Sequence, residues 1–184
     1  MSMDDSPELL SGLDQHSIGR ESQVRSGDHA AIKTWLRLLS CSTQIEQVIR
    51  SRLRQRFATT LPRFDYLAQL DRHPQGLRMN TLSRYLMVTG GNITGLTDQL
   101  VREGFVQRTP DESDRRSLVV SLTRAGRAHF LRMAKEHESW LVEMFEGFER
   151  SDQQMLFDTL GRLRVHLARQ AAGHADHADQ TETR

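Results

Sequence analysis

The sequence predicts a mainly α-helical protein with one small β-hairpin. Apolar residues recur at steps of three and four in six segments between residues 28 and 170, the spacing of helices that bury one face. Residues 117–122 alternate apolar and polar side chains, the period of a strand, and residues 105–108 are its predicted partner. A polar loop that begins at Pro110 separates the two strands, so together they predict a hairpin.

Two helices precede the central part of the chain. Helix 1 is predicted from Asp28, a suitable N-cap, to about Phe57. Its apolar stripe comprises Trp35, Leu39, Ser42, Ile45, Ile49 and Leu53. Helix 2 starts at Thr60 with a proline in its first turn and ends before His73 and Pro74, because the residue before a proline disfavours helix.

A short helix, a tight turn and a longer helix come next. Helix 3 is predicted over residues 79–87, residues 88–91 form the turn, and helix 4 runs from Gly91 to Glu103. Gly104 stands at the usual C-terminal position. The predicted buried stripe of helix 4 is Ile93, Leu96, Leu100 and Val101. Since the hairpin follows directly, this order of elements predicts a winged helix-turn-helix with the hairpin as the wing.

Two further helices complete the chain. Thr123 can cap helix 5, which is predicted to continue to about Glu149, and Ser151 with Gln154 forms a capping box for helix 6. The predicted organisation is a flexible arm (1–27), helix 1 (28–57), the winged helix-turn-helix (58–122), helices 5 and 6 (123–170) and a flexible tail (171–184).

The terminal helices predict self-association. The apolar stripes of helices 1, 5 and 6 are too long for the small central unit to cover, so they need another partner. The simplest partner is a second copy, which makes a homodimer with two-fold symmetry. Such a dimer would present two copies of helix 4 to half-sites about 34–36 Å apart on double-stranded DNA.

Composition limits the alternatives. The chain has 25 Lys and Arg against 24 Asp and Glu, so nucleic-acid binding requires local sorting of charge rather than a strong net field. We find no signal peptide, apolar membrane span or metal-ligand spacing, and Cys41 is the one cysteine. We therefore expect a cytoplasmic protein without metal or cofactor. Because no nucleophile–base pair or phosphate loop is visible, we do not expect an enzyme.

The outward face of helix 4 and the wing loop are the candidate DNA contacts. Small and amide side chains suit a helix in the major groove, and an arginine at a wing tip can enter the minor groove. The helix candidates are Thr89, Gly91, Asn92, Thr94, Gly95, Asp98, Gln99 and Arg102. In the wing they are Asp114, Arg115 and Arg116, with Asp114 orienting an arginine. A solvated helix face and an ordinary charged loop remain the alternatives.

These segments resemble the MarR family of bacterial regulators. The resemblance spans residues 28–170, and its most specific part is Asp114-Arg115-Arg116 followed by Leu122-Thr123 and Gly126. It implies a triangular homodimer joined by helices 1, 5 and 6, which binds a palindromic operator as a repressor until a small ligand releases it. It also implies that Arg116 enters the minor groove. Arg78 departs from the family's usual capping Ser or Thr before helix 3.

A narrower likeness suggests the effector. Residues 35–41, 45–56, 61–65 and 87–95 are similar to MarR regulators of aromatic-acid catabolism, some of which respond to hydroxycinnamoyl-CoA. The arginines of residues 50–63 could receive CoA phosphates, and neighbouring aromatics could line an apolar slot. The candidate ligand residues are Trp35, Leu39, Arg50, Arg54, Arg63, Phe64 and Trp140. Alternatively, the arginines form a solvated or phosphate-binding face and the aromatics belong to the core.

Two other functions fit parts of the sequence. A redox-responsive repressor would sense oxidant through Cys41, but the neighbouring residues supply no charge, so we expect a buried and unreactive thiol. A nonspecific nucleoid protein or a protein-binding winged helix is a further alternative, and the near-zero net charge argues against nonspecific DNA binding.

Overall fold

A computed structural model of the chain describes Ile18 and residues 29–86, 90–111 and 117–181. Helix α1 runs from Ala30 to Phe57, with His29 as its N-cap. The Nδ1 atom of His29 accepts a hydrogen bond of 3.2 Å from the Ala31 amide, the role that the sequence assigned to Asp28. The predicted flexible arm, residues 1–27, lies outside the described residues apart from Ile18.

Helix α2 and the helix-turn-helix follow as predicted, with one unpredicted strand. Helix α2 spans Leu61–Asp71, α3 spans Met79–Leu86 and α4 spans Gly90–Arg102. Strand β1, Leu77–Arg78, precedes α3 and was missed because two residues carry no periodic signal. It starts after Gly76, where φ is +84° and an added Cβ would lie 2.5 Å from Val119 Cγ1.

The wing consists of β2, Val106–Pro110, and β3, Leu118–Leu122. The two strands pair antiparallel from Val106 opposite Leu122 to Pro110 opposite Leu118. On its other side β3 pairs with β1, so the strand order among the described residues is β1–β3–β2. The hairpin therefore lies in a three-stranded antiparallel sheet rather than standing alone.

The last two helices differ from their predicted bounds. Helix α5 spans Arg124–Met144 and α6 spans Arg150–Thr181. The predicted end of helix 5 at Glu149 is wrong, since the chain turns after Met144 through Gly147 at φ +83°. Ser151 lies inside α6, so the predicted capping box does not form. The backbone of the predicted flexible tail is helical as far as Thr181.

The core of the winged helix-turn-helix is formed by buried side chains from one face of each element. Its fully buried side chains include Leu53 on α1, Leu67 on α2 and Leu100 on α4. Val120 from the centre of β3 and Met133 from α5 are equally buried. Because these residues recur at helical or strand spacing, burying them holds each element against the others.

The chain divides into two compact units, Met1–Leu141 and Val142–Arg184. The first contains α1 to β3 and most of α5, and the second contains the last turn of α5 and all of α6. Among the described residues, no helix is long and apolar enough to cross a membrane.

Candidate nucleic-acid interface

Helix α4 has two clearly different faces. Ile93, Thr97 and Leu100 are buried to 2 % exposure or less, and they point into the core. The exposed side chains and glycines of the opposite face are Gly91, Asn92, Thr94, Gly95, Gln99 and Arg102. The sequence predicted this outward set, and the structure places all six on one solvent-facing surface.

Two glycines leave the backbone of this exposed face uncovered. A Cβ added at Gly91 or Gly95 would meet nothing within 4 Å, so neither glycine is required by packing inside the chain. Glycine in a helix interior costs about 1 kcal/mol relative to alanine. A glycine that costs stability without relieving a clash is typical of a site where another molecule approaches the backbone closely.

A buried hydrogen-bond cluster orients α4. The hydroxyl groups of Tyr66 on α2 and Thr97 on α4 lie 2.6 Å apart, and the Thr97 hydroxyl is also 2.7 Å from the Ile93 carbonyl oxygen. Burial raises the pKa of Tyr66 to about 12. Thr97 was absent from the predicted buried stripe of this helix, because that stripe contained only apolar residues. The cluster fixes the rotation of α4, and hence which residues face outward.

Asp98 of the predicted DNA-contacting set has a partner inside the chain. Its Oδ1 accepts a hydrogen bond of 2.6 Å from Nη2 of Arg108 on β2. The Asp98 side chain is 47 % exposed and that of Arg108 is 28 % exposed. This ion pair joins α4 directly to the first strand of the wing. Sequence spacing does not reveal it, because the pairing depends on how β2 folds back along α4.

A second ion pair lies at the outer end of β2. Nε of Arg78 on β1 donates to Oδ2 of Asp111 at 2.6 Å, and the Asp111 amide donates to the Ser117 carbonyl at 2.9 Å. Arg78, which departs from the expected helix cap, thus contacts the base of the wing loop. The loop arginines predicted to contact DNA follow within five residues.

The root of the wing is joined to α5 by the Leu-Thr-x-x-Gly motif. The Thr123 hydroxyl donates to the Gly104 carbonyl at 2.7 Å and accepts from the Gly126 amide at 2.9 Å. A Cβ at Gly126 would lie 1.8 Å from the Phe105 carbonyl oxygen. The motif residues are therefore explained by a close backbone approach between α5 and the α4–β2 turn.

Four of the predicted DNA-contacting residues lie outside the described residues: Thr89 of the predicted turn, and Asp114, Arg115 and Arg116 of the predicted wing loop.

Residues 59–118 match the model of the MarR family. This segment covers α2 to the first residue of β3, and includes the helix-turn-helix and the base of the wing. This segment of the chain is therefore similar to the MarR family.

Curated relatives are regulators of transcription. The chain is 34 % identical over 99 residues to the transcriptional activatory protein BadR of Rhodopseudomonas palustris, a match that covers 53 % of this chain and 56 % of BadR. It is 32 % identical over 106 residues to the HTH-type transcriptional regulator PecS of Dickeya dadantii, covering 56 % of this chain and 64 % of PecS. Each match thus spans less than two thirds of the relative. BadR and PecS are both named as regulators of transcription, the class that the sequence predicted for this chain.

Solved structures share the fold. A MarR family transcriptional regulator from Silicibacter pomeroyi superimposes with a TM-score of 0.64 at 28 % identity, covering 74 % of this chain and 94 % of that one. AbsC, a MarR family transcriptional regulator from Streptomyces coelicolor, gives 0.66 at 22 % identity, with coverages of 79 % and 99 %. The mainly helical winged-helix prediction is therefore confirmed.

At the far end of α4, a charged pair joins α2 to the α4–β2 turn, and an aromatic pair joins that turn to α5. Arg63 on α2 makes two hydrogen bonds to the Glu103 carboxylate, one of them 2.9 Å between Nη1 and Oε1. These bonds lower the pKa of Glu103. The His129 ring on α5 stacks on Phe105, with centroids 4.4 Å apart. Burial, followed by repulsion from Arg132, lowers the pKa of His129.

The structure does not bring the predicted apolar ligand slot together. Phe64 on α2 and Trp140 on α5 are buried, Phe64 against the tilted ring of His137 and Trp140 against Phe57. Trp35 is 59 % exposed. It precedes Arg52, which lies over Trp140, by 17 positions on α1, a distance of about 25 Å along the helix axis.

The predicted ligand arginines also have different surroundings. Arg50 and Arg54 are exposed on α1, and Arg50 pairs with Glu46 at 2.9 Å. Arg63 is instead committed to Glu103. Leu39 is half-buried, about 20 Å from Arg52 along the helix. The seven predicted ligand residues thus occupy at least two separate regions of the chain.

Cys41 is exposed on α1. The expectation that this thiol is buried is wrong, because Cys41 lies outside the apolar stripe of α1 and the neighbouring Ser40 takes the buried position instead. In the part of the chain that is described, no group of three or more His, Cys, Asp or Glu side chains could hold a metal ion.

Proposed function

We propose that this protein is a homodimeric transcriptional regulator that binds a palindromic operator through α4 and the wing. The observation that carries the proposal is the division of α4 into a buried face and an exposed face of glycine, amide, hydroxyl and arginine groups. Amide side chains can pair with adenine, and threonine can contact a thymine methyl group. The resemblance to MarR-type regulators supports the same reading.

Two-fold assembly is supported by α6. Along its described side chains, apolar residues remain uncovered: Met155, Leu156, Phe157, Leu160, Val165 and Leu167 are 38 to 74 % exposed. An uncovered apolar surface of this size is typical of one that another chain covers. A second copy of α6 would bury it, and the resulting dimer would place two recognition helices on one duplex.

The first experiment selects symmetric duplexes from random-sequence DNA with the full chain and measures their affinity by gel shift. We expect specific binding that shuffled competitor DNA does not abolish. Gln99→Ala should relax the preference at one base pair of each half-site by about 1–3 kcal/mol. Gln55→Ala, an equally exposed amide on α1, is the matched control and should bind as wild type. If no specific duplex is recovered, the proposal is wrong.

The dimer is tested separately by analytical ultracentrifugation. Phe157→Asp places a charge at the most exposed of the apolar residues on α6 and should shift the protein toward monomer. Thr159→Asp, a polar position on the same helix, is the control and should leave the dimer intact. A monomeric wild-type protein at working concentration would contradict the assembly.

We further propose that the regulator is a repressor released by an anionic aromatic ligand, either an aromatic acid or its CoA thioester. Support comes from α1, where Arg50 and Arg54 are exposed and the Arg52 guanidinium lies 6.0 Å from the centre of the Trp140 ring. Cationic groups beside aromatic rings suit such ligands. Because BadR is named as an activatory protein, a reporter assay must decide between repression and activation.

The effector is tested by adding a hydroxycinnamate, its CoA thioester and peroxide in parallel to the protein–DNA complex. Release by the thioester, weakened in Arg54→Gln and unchanged in Arg169→Gln on α6, is the expected result. Release by neither aromatic compound would overturn the effector proposal while leaving DNA binding intact.

A redox-responsive repressor is the second candidate, because Cys41 is exposed. In that case peroxide releases the wild-type protein from DNA and Cys41→Ser no longer responds. An equal response of the two proteins excludes the thiol as sensor.

A further inference from the structure

We propose that Asp98 is a positioning residue: by holding Arg108, it sets the wing relative to the recognition helix α4. The sequence placed Asp98 among the residues that touch DNA. Its carboxylate instead accepts a 2.6 Å hydrogen bond from Arg108. The inference deepens the proposed function and rests on it, since it concerns how two DNA-contacting elements keep a fixed geometry.

Both ends of the ion pair are anchored in the core. Asp98 follows Thr97, which is fully buried and bonded to Tyr66. Arg108 stands opposite Val120 in the β2–β3 ladder, and Val120 is also fully buried. The side-chain bridge therefore joins two rigid backbone positions, one on the helix and one on the sheet. It can transmit the orientation of α4 to β2.

A second ion pair holds the residue that follows β2. Arg78 on β1 pairs with Asp111, three residues beyond Arg108. The two ion pairs involve different neighbours, α4 and β1. With both in place, the segment that leads into the wing loop is constrained at two points. Arg115 and Arg116 follow Asp111 within five residues.

The negative charge of Asp98 makes the direction of the change in DNA affinity a test of its role. Asp98 is nearly half exposed on the face proposed to meet DNA, where a carboxylate is repelled by phosphate. If Asp98 had no positioning role, its replacement by asparagine would strengthen DNA binding. If it positions the wing, the same replacement weakens binding, because the wing arginines lose their place in the minor groove.

The experiment uses the full chain and a symmetric duplex that the wild-type protein selects from random-sequence DNA. Asp98→Asn is expected to bind about 10-fold more weakly, with lost protection of the minor groove at the wing and a shallower salt dependence. The matched control is Asp71→Asn at the end of α2, which makes the same substitution. Because Asp71 pairs with Arg127 of α5 instead, wing protection should stay unchanged in this variant.

Reciprocal variants separate positioning from stability. Arg108→Gln should reproduce the loss, and the double variant should be no weaker than either single one, because the pair acts as a unit. Arg108→Lys keeps the charge and should restore part of the wing protection. If Asp98→Asn also lowers the melting temperature, the Arg108→Lys variant shows whether the loss of DNA binding comes from wing position or from stability.

Equal or tighter binding by Asp98→Asn, with wing protection intact, overturns the inference and leaves the proposed function standing. Failure of the wild-type protein to select any duplex overturns both.

Discussion

Gly95→Ala should change stability and DNA binding in opposite directions. Gly95 lies in the middle of α4 on its exposed face, and a methyl group there would meet nothing within 4 Å. Nothing inside the folded chain opposes the substitution. Alanine removes conformational freedom from the unfolded chain and favours helix, so the folded state gains.

The expected changes in stability and in DNA affinity follow from the absence of neighbouring atoms around Gly95. The gain in unfolding free energy is about 1 kcal/mol, which raises the melting temperature by roughly 2–4 °C for a chain of this length. If the helix lies in the major groove, the methyl group separates backbone from base edges. A loss of about 1 kcal/mol at each of two half-sites weakens the dimer's affinity roughly 30-fold.

The assay combines thermal unfolding with gel-shift titration on the selected duplex. Ser51→Ala on α1 is the control, because its exposed helical position should gain roughly 0.5 kcal/mol without touching the recognition face. A Gly95→Ala protein that melts higher and binds DNA as tightly as wild type would refute the placement of this face against the duplex.

Three further outcomes are expected. Arg116→Ala should weaken the free energy of operator binding by about 1–3 kcal/mol in a fluorescence anisotropy titration. An affinity equal to that of the wild type would show that Arg116 does not contact DNA. Gly126→Ala should lower the unfolding free energy by about 1–3 kcal/mol, because the added methyl group would overlap the Phe105 carbonyl. Thermal unfolding should therefore show a lower melting temperature. Tyr66→Phe should cost about 1 kcal/mol by removing the bond to Thr97. Because folding raises the pKa of Tyr66 from 10 to about 12, the unfolding free energy of the wild-type protein should fall as pH rises through that range. The unfolding free energy of Tyr66→Phe, measured by denaturant melts, should fall less steeply.

The buried polar cluster shows how the DNA-facing surface depends on the core. Thr97 lies on the inner face of α4, where an apolar residue would serve packing equally well. Its hydroxyl makes bonds to Tyr66 and to the Ile93 carbonyl. Hydrogen bonds are directional whereas apolar contacts are not, so the cluster sets the rotation of α4 more narrowly than burial alone. Because Asp98 follows Thr97 on the same helix, its orientation is fixed by the same cluster.

Periodicity alone determined the six helices, the hairpin and the outward face of α4. These features follow from the sequence because helices and strands repeat every 3.6 and 2 residues, so burial of one face leaves a readable pattern. The specific Thr123 and Gly126 positions were also visible. Their reason, a close approach to the Phe105 backbone, was not.

Tertiary structure decided what pairs with what. The Asp98–Arg108 and Arg78–Asp111 ion pairs join residues ten and thirty-three positions apart on different elements. Their meeting depends on how the sheet packs beside α4, which no local period encodes. Strand β1 exists only because β3 offers it a free edge. Trp35 and Trp140 were predicted to line one slot, yet Trp35 lies about 25 Å along α1 from Arg52, which contacts Trp140. Residue type does not indicate which side chains meet in the fold.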